Sequence, residues 1–166
     1  MPNQSDSVEI KLLEVDDAEP LAGDLFNRSF NQPIPDFPTH FVLVATDDQG
    51  QVLTLGYVHF THHKSMYLGG GMCVNSRAIR LLSQKQREHL NEKGGVAFYM
   101  LSESVKKLRN CDAVFGYVGH KGAYKIDLAV GFEQTEHQHL IVYWKTGLNE
   151  TQRQSIIQTA YEFGPF

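Results

Sequence analysis

The chain has 166 residues and a formal net charge of −4. This length suits one domain with a real core, and 42% hydrophobic with 20% charged residues are ordinary proportions for a globular protein. The mildly acidic balance lacks the basic surface typical of nucleic-acid-binding domains, so we expect no nucleic-acid partner.

The N-terminal region predicts a tail, a strand and a helix. Residues 1–6 are polar, lack the pattern of a signal peptide and are interpreted as a loose tail. The alternation from Val8 to Leu13 predicts a first strand, and Asp16 or Asp17 can cap a helix that runs to about Phe30. No apolar run approaches the ~20 residues of a membrane span. We therefore expect a cytoplasmic protein without membrane contact.

The next region predicts three antiparallel strands. Three prolines within residues 31–38 require a loop. Strands over residues 41–45 and 52–61, joined by a turn at 47–50, form a predicted hairpin. After a corner at residues 62–64, a further strand covers 65–74.

The remaining chain alternates between helices and strands. A polar stretch over residues 75–91 is predicted to be helical and to restart at Ser83, which has capping-box spacing with Gln86. The elements that follow are a helix over 96–109, a strand over 113–118, a short helix over 122–128, a strand opening at Gly131-Phe132, a strand over 140–144, and a helix over 149–161 capped by Asn149 with Gln152. This order predicts a single mixed α+β domain over residues 1–166, built around one sheet.

Two glycine clusters predict a binding site. Gly94-Gly95 open the helix over 96–109, and a helix N-terminus that begins on glycines is a generic anion site. Gly69-Gly70-Gly71 interrupt the strand over 65–74, where glycines often mark a bulge. A bulge there would splay this strand from the strand over 113–118 and leave main-chain groups free. Coenzyme A, with a diphosphate and an amide-bearing arm, fits both features.

The residues around these glycines resemble a known family. Glu92-Lys93-Gly94-Gly95-Val96-Ala97 is similar to the loop Gln/Arg-x-x-Gly-x-Gly/Ala of the GCN5-related N-acetyltransferase family. Gly95 and Ala97 match, while Glu92 replaces Gln or Arg. A strand, a short helix and a Gly-Phe pair follow, as in the family. The short helix has His120, Ala123 and Asp127 where the family often has Asn, Ala and Tyr, and only Ala123 matches.

The resemblance covers roughly residues 7–145 and implies an acyl-CoA N-acyltransferase-like fold, with a mostly antiparallel central sheet flanked by helices. It implies acetyl-CoA or another acyl-CoA as co-substrate, a primary amine as acceptor, and no metal. Backbone N–H groups from Lys93 to Ala97 would hold the diphosphate. Tyr124 and Asp127 are the candidate acids for the leaving thiolate. The full set of implied cofactor-binding residues is Met72, Cys73, Val74, Lys93, Gly94, Gly95, Val96, Ala97 and His120.

Two alternatives stay open. The first is an acyl-carrier-protein-dependent synthase of the acyl-homoserine-lactone type, because residues 75–91 contain basic residues that could dock an acidic carrier. These residues are Arg77, Arg80, Lys85 and Arg87. The second is a binding or regulatory module without catalysis, suggested by Glu92 and Asp127 at family positions. The acceptor and the oligomeric state stay open, with a homodimer among the arrangements.

Histidines offer a different type of site. His59, His62 and His63 lie close together, but no carboxylate or cysteine cluster completes a metal site. We interpret them as surface or hairpin-corner residues, with a role as general base for the amine as the alternative. His137 and His139 are assigned to a solvated turn.

Overall fold

The computed structural model describes residues 8–166, so the predicted tail over residues 1–6 lies outside the described part. The elements are β1 (Ile10–Val15), α1 (Glu19–Phe30), β2 (Thr39–Thr46), β3 (Val52–His63), β4 (Met66–Val74), α2 (Ser76–Arg80), α3 (Gln84–Glu92), α4 (Val96–Lys107), β5 (Ala113–Tyr117), α5 (Lys121–Val130), β6 (Glu133–Gln134), β7 (Leu140–Trp144) and α6 (Glu150–Phe163). None of these helices is long and apolar enough to cross a membrane.

The strands form a seven-stranded sheet in the order β1-β2-β3-β4-β5-β7-β6. Every neighbouring pair is antiparallel except β4 and β5, which are parallel. This arrangement confirms the predicted mixed fold with a mostly antiparallel central sheet flanked by helices.

Alternating strand residues divide the core between the two faces of the sheet. On one face, Phe26 of α1 packs in a cluster with Val42, and α6 packs in another with Phe115. On the other face, Met100 of α4 packs with Phe41 and Val114. Helices α1 and α6 therefore cover one face, while α4 covers the opposite face together with α5.

Several predicted boundaries differ from the structure. Strand β1 runs from Ile10 to Val15 because it pairs with residues 40–45 of β2. The predicted corner at 62–64 is wrong for His62 and His63, which pair with Tyr67 and Met66, so the turn begins at Lys64 with φ 54°.

The predicted strand at Gly131-Phe132 is also wrong at those two residues. Gly131 caps α5 with φ 125°, and Phe132 packs into the core, so β6 is reduced to Glu133–Gln134. The predicted capping boxes of Ser83 with Gln86 and of Asn149 with Gln152 are both present.

Candidate functional site

The sheet opens between β4 and β5. The two strands pair only from Met66 opposite Ala113 to Leu68 opposite Phe115, whereas β4 continues to Val74. Over the same residues the register between β3 and β4 shifts. The predicted bulge and splay are therefore confirmed. Beyond Leu68, the main chain of β4 has no strand partner on its β5 side among the described residues, and its polar groups can pair with an extended ligand.

The glycine triplet lies where side chains have no room. A Cβ on Gly69 would come within 3.2 Å of the carbonyl oxygen of Phe115. A Cβ on Gly70 would overlap the imidazole of His59, and one on Gly71 would press on aromatic rings of α1. Glycine is therefore required at these positions for steric reasons, because neighbouring groups contact the backbone of β4 where a Cβ would lie.

A cavity of about 290 Å³ occupies this opening. Phe30 of α1 and Phe166 line it from one face of the sheet, and Ala123 and Asp127 of α5 line it from the other. The cavity therefore connects the two faces. Its remaining wall consists of Gly69, Gly70, Gly71, Met72, Tyr117, Val118, Gly119 and His120.

Asp127 is the acidic group in this cavity. Its side chain is 6% exposed, and no hydrogen bond or ion pair to its carboxylate exists within residues 8–166. Burial raises the pKa of Asp127 to about 6. A carboxyl with a pKa in this range can exchange protons near neutral pH, which is the property that a general acid needs.

Tyr124, the other candidate acid, lies outside the lining of this cavity. Its hydroxyl donates to Oε1 of Gln134 at 3.0 Å, and its ring lines a neighbouring cavity of about 340 Å³. His120 borders both cavities, and its Nδ1 accepts the N–H groups of Gly122 and Ala123 as the N-cap of α5. The structure thus separates Tyr124 from Asp127 and places His120 between the two spaces.

The two glycines before α4 have different structural roles. Gly94, with φ 94°, ends α3: its N–H bonds to Asn91 O and the N–H of Gly95 bonds to Leu90 O, which together form a Schellman motif. Gly95, with φ 95°, is the N-cap of α4. The N–H of Lys93 also donates to α3 carbonyls. The predicted diphosphate donors at Lys93, Gly94 and Gly95 are therefore already engaged within the chain.

The first turn of α4 supplies the free donors. The N–H groups of Val96, Ala97 and Phe98 have no backbone or side-chain acceptor in the described part of the chain. Of the predicted diphosphate donors, Val96 and Ala97 have free N–H groups, and Phe98 offers a further free N–H that was not predicted.

Glu92 is exposed and forms no ion pair with described residues. Arg87 donates to the carbonyl of Leu82.

The three residues of the predicted segment Met72-Cys73-Val74 lie in different environments on β4. Met72 lines the cavity, whereas Cys73 is 7% exposed and packs under α1. The Cys73 side chain is thus a packed thiol, and its burial raises the pKa of that thiol. Val74 lies outside the cavity lining and pairs with Gly56.

The sequence missed a cluster of buried polar groups beneath α1. His40 Nδ1 lies 2.7 Å from the hydroxyl of Tyr57, and the ring of His59 lies 5.7 Å from that of Tyr57. His59 is 8% exposed, so its interpretation as a surface residue is wrong. The pairing of His40 with His59 across β2 and β3 creates the cluster. No group of three or more potential metal ligands occurs within residues 8–166.

Comparison with protein-family models and with curated proteins gives no match. Solved structures do resemble the chain. The ribosomal-protein-S18-alanine N-acetyltransferase from Escherichia coli has a TM-score of 0.51 and 11% identity, over 86% of this chain and 97% of that one. YhhK from E. coli bound to coenzyme A gives 0.48 and 16%, over 83% and 98%. The KacTA–DNA complex gives 0.48 and 15%, over 93% and 99%.

The similarity to the first of these structures defines a class of fold. The chain has the fold of the GCN5-related N-acetyltransferases, which confirms the resemblance found in the sequence at the level of the fold. At these identities the likeness does not extend to a substrate or partner. The expectation of no nucleic-acid partner therefore stays a prediction.

Proposed function

We propose that the protein is an acyl-CoA-dependent N-acyltransferase that transfers an acetyl group from acetyl-CoA to a primary amine of a small molecule or protein. The observation that carries this proposal is the opening between β4 and β5, with an unpaired edge of β4 on one side and the buried Asp127 in the same cavity. An N-acetyltransferase with the same fold supports the choice of chemistry.

The main chain supplies two binding features for the cofactor. The free edge of β4 at residues 69–72 can pair with the amides of the pantetheine arm, as a neighbouring strand would. The N–H groups of Val96, Ala97 and Phe98 lie at the positive end of α4, which favours an anion such as the diphosphate. An arm bound along β4 would bring the thioester into the cavity.

The reaction then needs little covalent chemistry from the protein. The amine attacks the thioester carbonyl directly, so positioning in the cavity supplies much of the catalysis. An N–H group of β4 can stabilise the oxyanion that develops. Asp127 protonates the leaving thiolate, because its pKa of about 6 leaves a protonated fraction near neutral pH.

Calorimetry with acetyl-CoA tests the binding half of this proposal. Val96→Pro removes one free N–H at the first position of α4, where proline is tolerated. One hydrogen bond to a charged phosphate contributes about 1.5–3 kcal/mol, so we expect a loss of affinity of about 10- to 150-fold. Glu150→Pro, at the first position of α6, is the matched control and should bind normally.

Two experimental outcomes would contradict the proposal. If the wild-type protein binds neither acetyl-CoA nor longer acyl-CoAs at millimolar concentration, the proposal is wrong. If it binds acetyl-CoA but releases no coenzyme A with any amine of a broad panel, the chain is a binding module without catalysis.

A carrier-protein donor is the second candidate, favoured by the surface of α2. Arg77 and Arg80 are exposed there, and Leu81 directly after them is 69% exposed. Basic residues around an exposed apolar side chain suit an acidic carrier. Charge reversal at Arg77 and Arg80 should then slow transfer from an acyl carrier protein and leave transfer from acyl-CoA unchanged. Equal rates from the carrier before and after reversal would exclude this donor.

A further inference from the structure

His59 lies against the backbone that borders the cavity. It belongs to β3 at the point where the register with β4 shifts, on the face covered by α1. The space that a side chain at Gly70 would fill is occupied by the imidazole, and the ring atom nearest to that space is Nε2. Because Gly70 lines the cavity, the Nε2 atom stands beside the wall of the opening.

The surroundings of His59 hold the imidazole neutral. Burial and, secondarily, the neighbouring His40 lower the pKa of His59 to about 4. The titratable groups around it in this cluster are His40, Tyr57 and Cys73, and burial raises the pKa of both Tyr57 and Cys73. The imidazole of His59 is therefore unprotonated at physiological pH.

The ring also has an unexplained polar atom. Nδ1 of His59 is buried and has no hydrogen-bond partner within the described part of the chain. A buried polar atom without a partner is unfavourable, so its presence in a folded protein calls for an explanation. His40 differs, because its Nδ1 is paired with the hydroxyl of Tyr57.

Asp127 and His59 lie on different faces of the sheet. Asp127 lines the cavity from the α5 face, whereas His59 packs on the α1 face near Phe26. An acyl transfer requires one proton to leave the nitrogen and another to reach the sulphur. Groups on opposite sides of the reacting carbonyl can perform these transfers without competing for the same proton.

We propose, on the basis of the proposed function, that His59 is the general base for the acceptor amine, which approaches from the face covered by α1 and α6. The amine nitrogen forms a bond to the thioester carbon, and Nε2 of His59 takes the proton from that nitrogen. The C–S bond then breaks, and the thiolate receives a proton from Asp127. The products are an amide and free coenzyme A, and solvent returns the proton from His59 to Asp127. A weakly basic imidazole suffices, because the nitrogen in the tetrahedral intermediate is far more acidic than a free ammonium.

Chemical rescue of His59→Ala tests this role. Coenzyme A release from acetyl-CoA is measured with a panel of aromatic amines, polyamines and peptide N-termini, and acetyl-CoA binding is measured by calorimetry. We expect kcat/KM to fall by about 100-fold or more with unchanged acetyl-CoA affinity. Added imidazole should restore the rate, whereas pyrazole, a ring of the same shape and far lower basicity, should not.

Two further variants separate chemistry from folding. His59→Gln keeps the space largely filled, and it should lose the same rate while it melts near the wild-type temperature. His62→Ala removes an exposed imidazole from the same strand and should stay active. Activity of His59→Gln within threefold of wild type, or equal rescue by both rings, would overturn the assignment of His59. A wild-type protein that acetylates no amine instead overturns the proposed function itself.

Discussion

The buried carboxyl of Asp127 should make stability depend on pH in an unusual direction. Burial raises its pKa from the ordinary 3.8 to about 6. Between these values the folded protein holds a proton that the unfolded chain has released, so the free energy of unfolding falls as pH rises. At 1.36 kcal/mol per pH unit, the full effect is at most about 3 kcal/mol. This stability is present below about pH 4 and is lost above about pH 6.

Asp127→Asn isolates this contribution, because the amide has the same shape and cannot ionise. The measurement is urea denaturation of both proteins at several pH values from about 4 to 8. Other carboxylates cancel in the difference between the two curves. We expect the variant to gain up to about 3 kcal/mol relative to wild type between the two ends of this range. Asp24→Asn, at an exposed position of α1, is the control for removing a carboxylate that is not buried. A difference between wild type and Asp127→Asn that does not change with pH would refute the reasoning.

Three further substitutions test individual contacts. Tyr124→Phe removes the hydrogen bond to Gln134, and we expect a stability change below about 1 kcal/mol with acetyl transfer within threefold of wild type; a hundredfold loss of transfer would identify Tyr124 as the acid. Gly70→Ala forces a methyl group into the ring of His59 and should destabilise the fold by about 1–3 kcal/mol in denaturation experiments. Asn149→Ala removes the N-cap of α6 and should lower the melting temperature, with a loss of about 1 kcal/mol.

Local signals in the sequence predicted most elements and the opening of the sheet. The spacing of Ser83 with Gln86 and of Asn149 with Gln152 is a property of four consecutive residues, so it is readable without tertiary structure. The glycine triplet predicted a bulge because missing side chains weaken strand pairing wherever they occur. The prediction that a strand begins at Gly131 was wrong, because a glycine that directly follows a helix more often caps that helix.

Long-range pairing decided what the sequence did not predict. His40 and His59 become a buried pair only through the register of β2 with β3, and nothing within either segment marks that contact. The same holds for Asp127, whose burial depends on how α5 packs beside the opening. The sequence could identify Asp127 as a candidate acid. Only the packed structure shows that its carboxylate is buried without a hydrogen-bond partner among the described residues, which raises its pKa.

The glycine pair before α4 shows that a sequence can match a ligand-binding motif because its residues are needed to end a helix. Gly94 is required by the left-handed turn that ends α3, because its N–H and that of Gly95 satisfy α3 carbonyls. A substitution at Gly94 would therefore shift the first turn of α4 and weaken the proposed binding of acyl-CoA without any direct contact being lost. Removal of the single N–H at Val96 does not disturb that junction. Only this second change can separate an anion site on α4 from a simple connection between two helices.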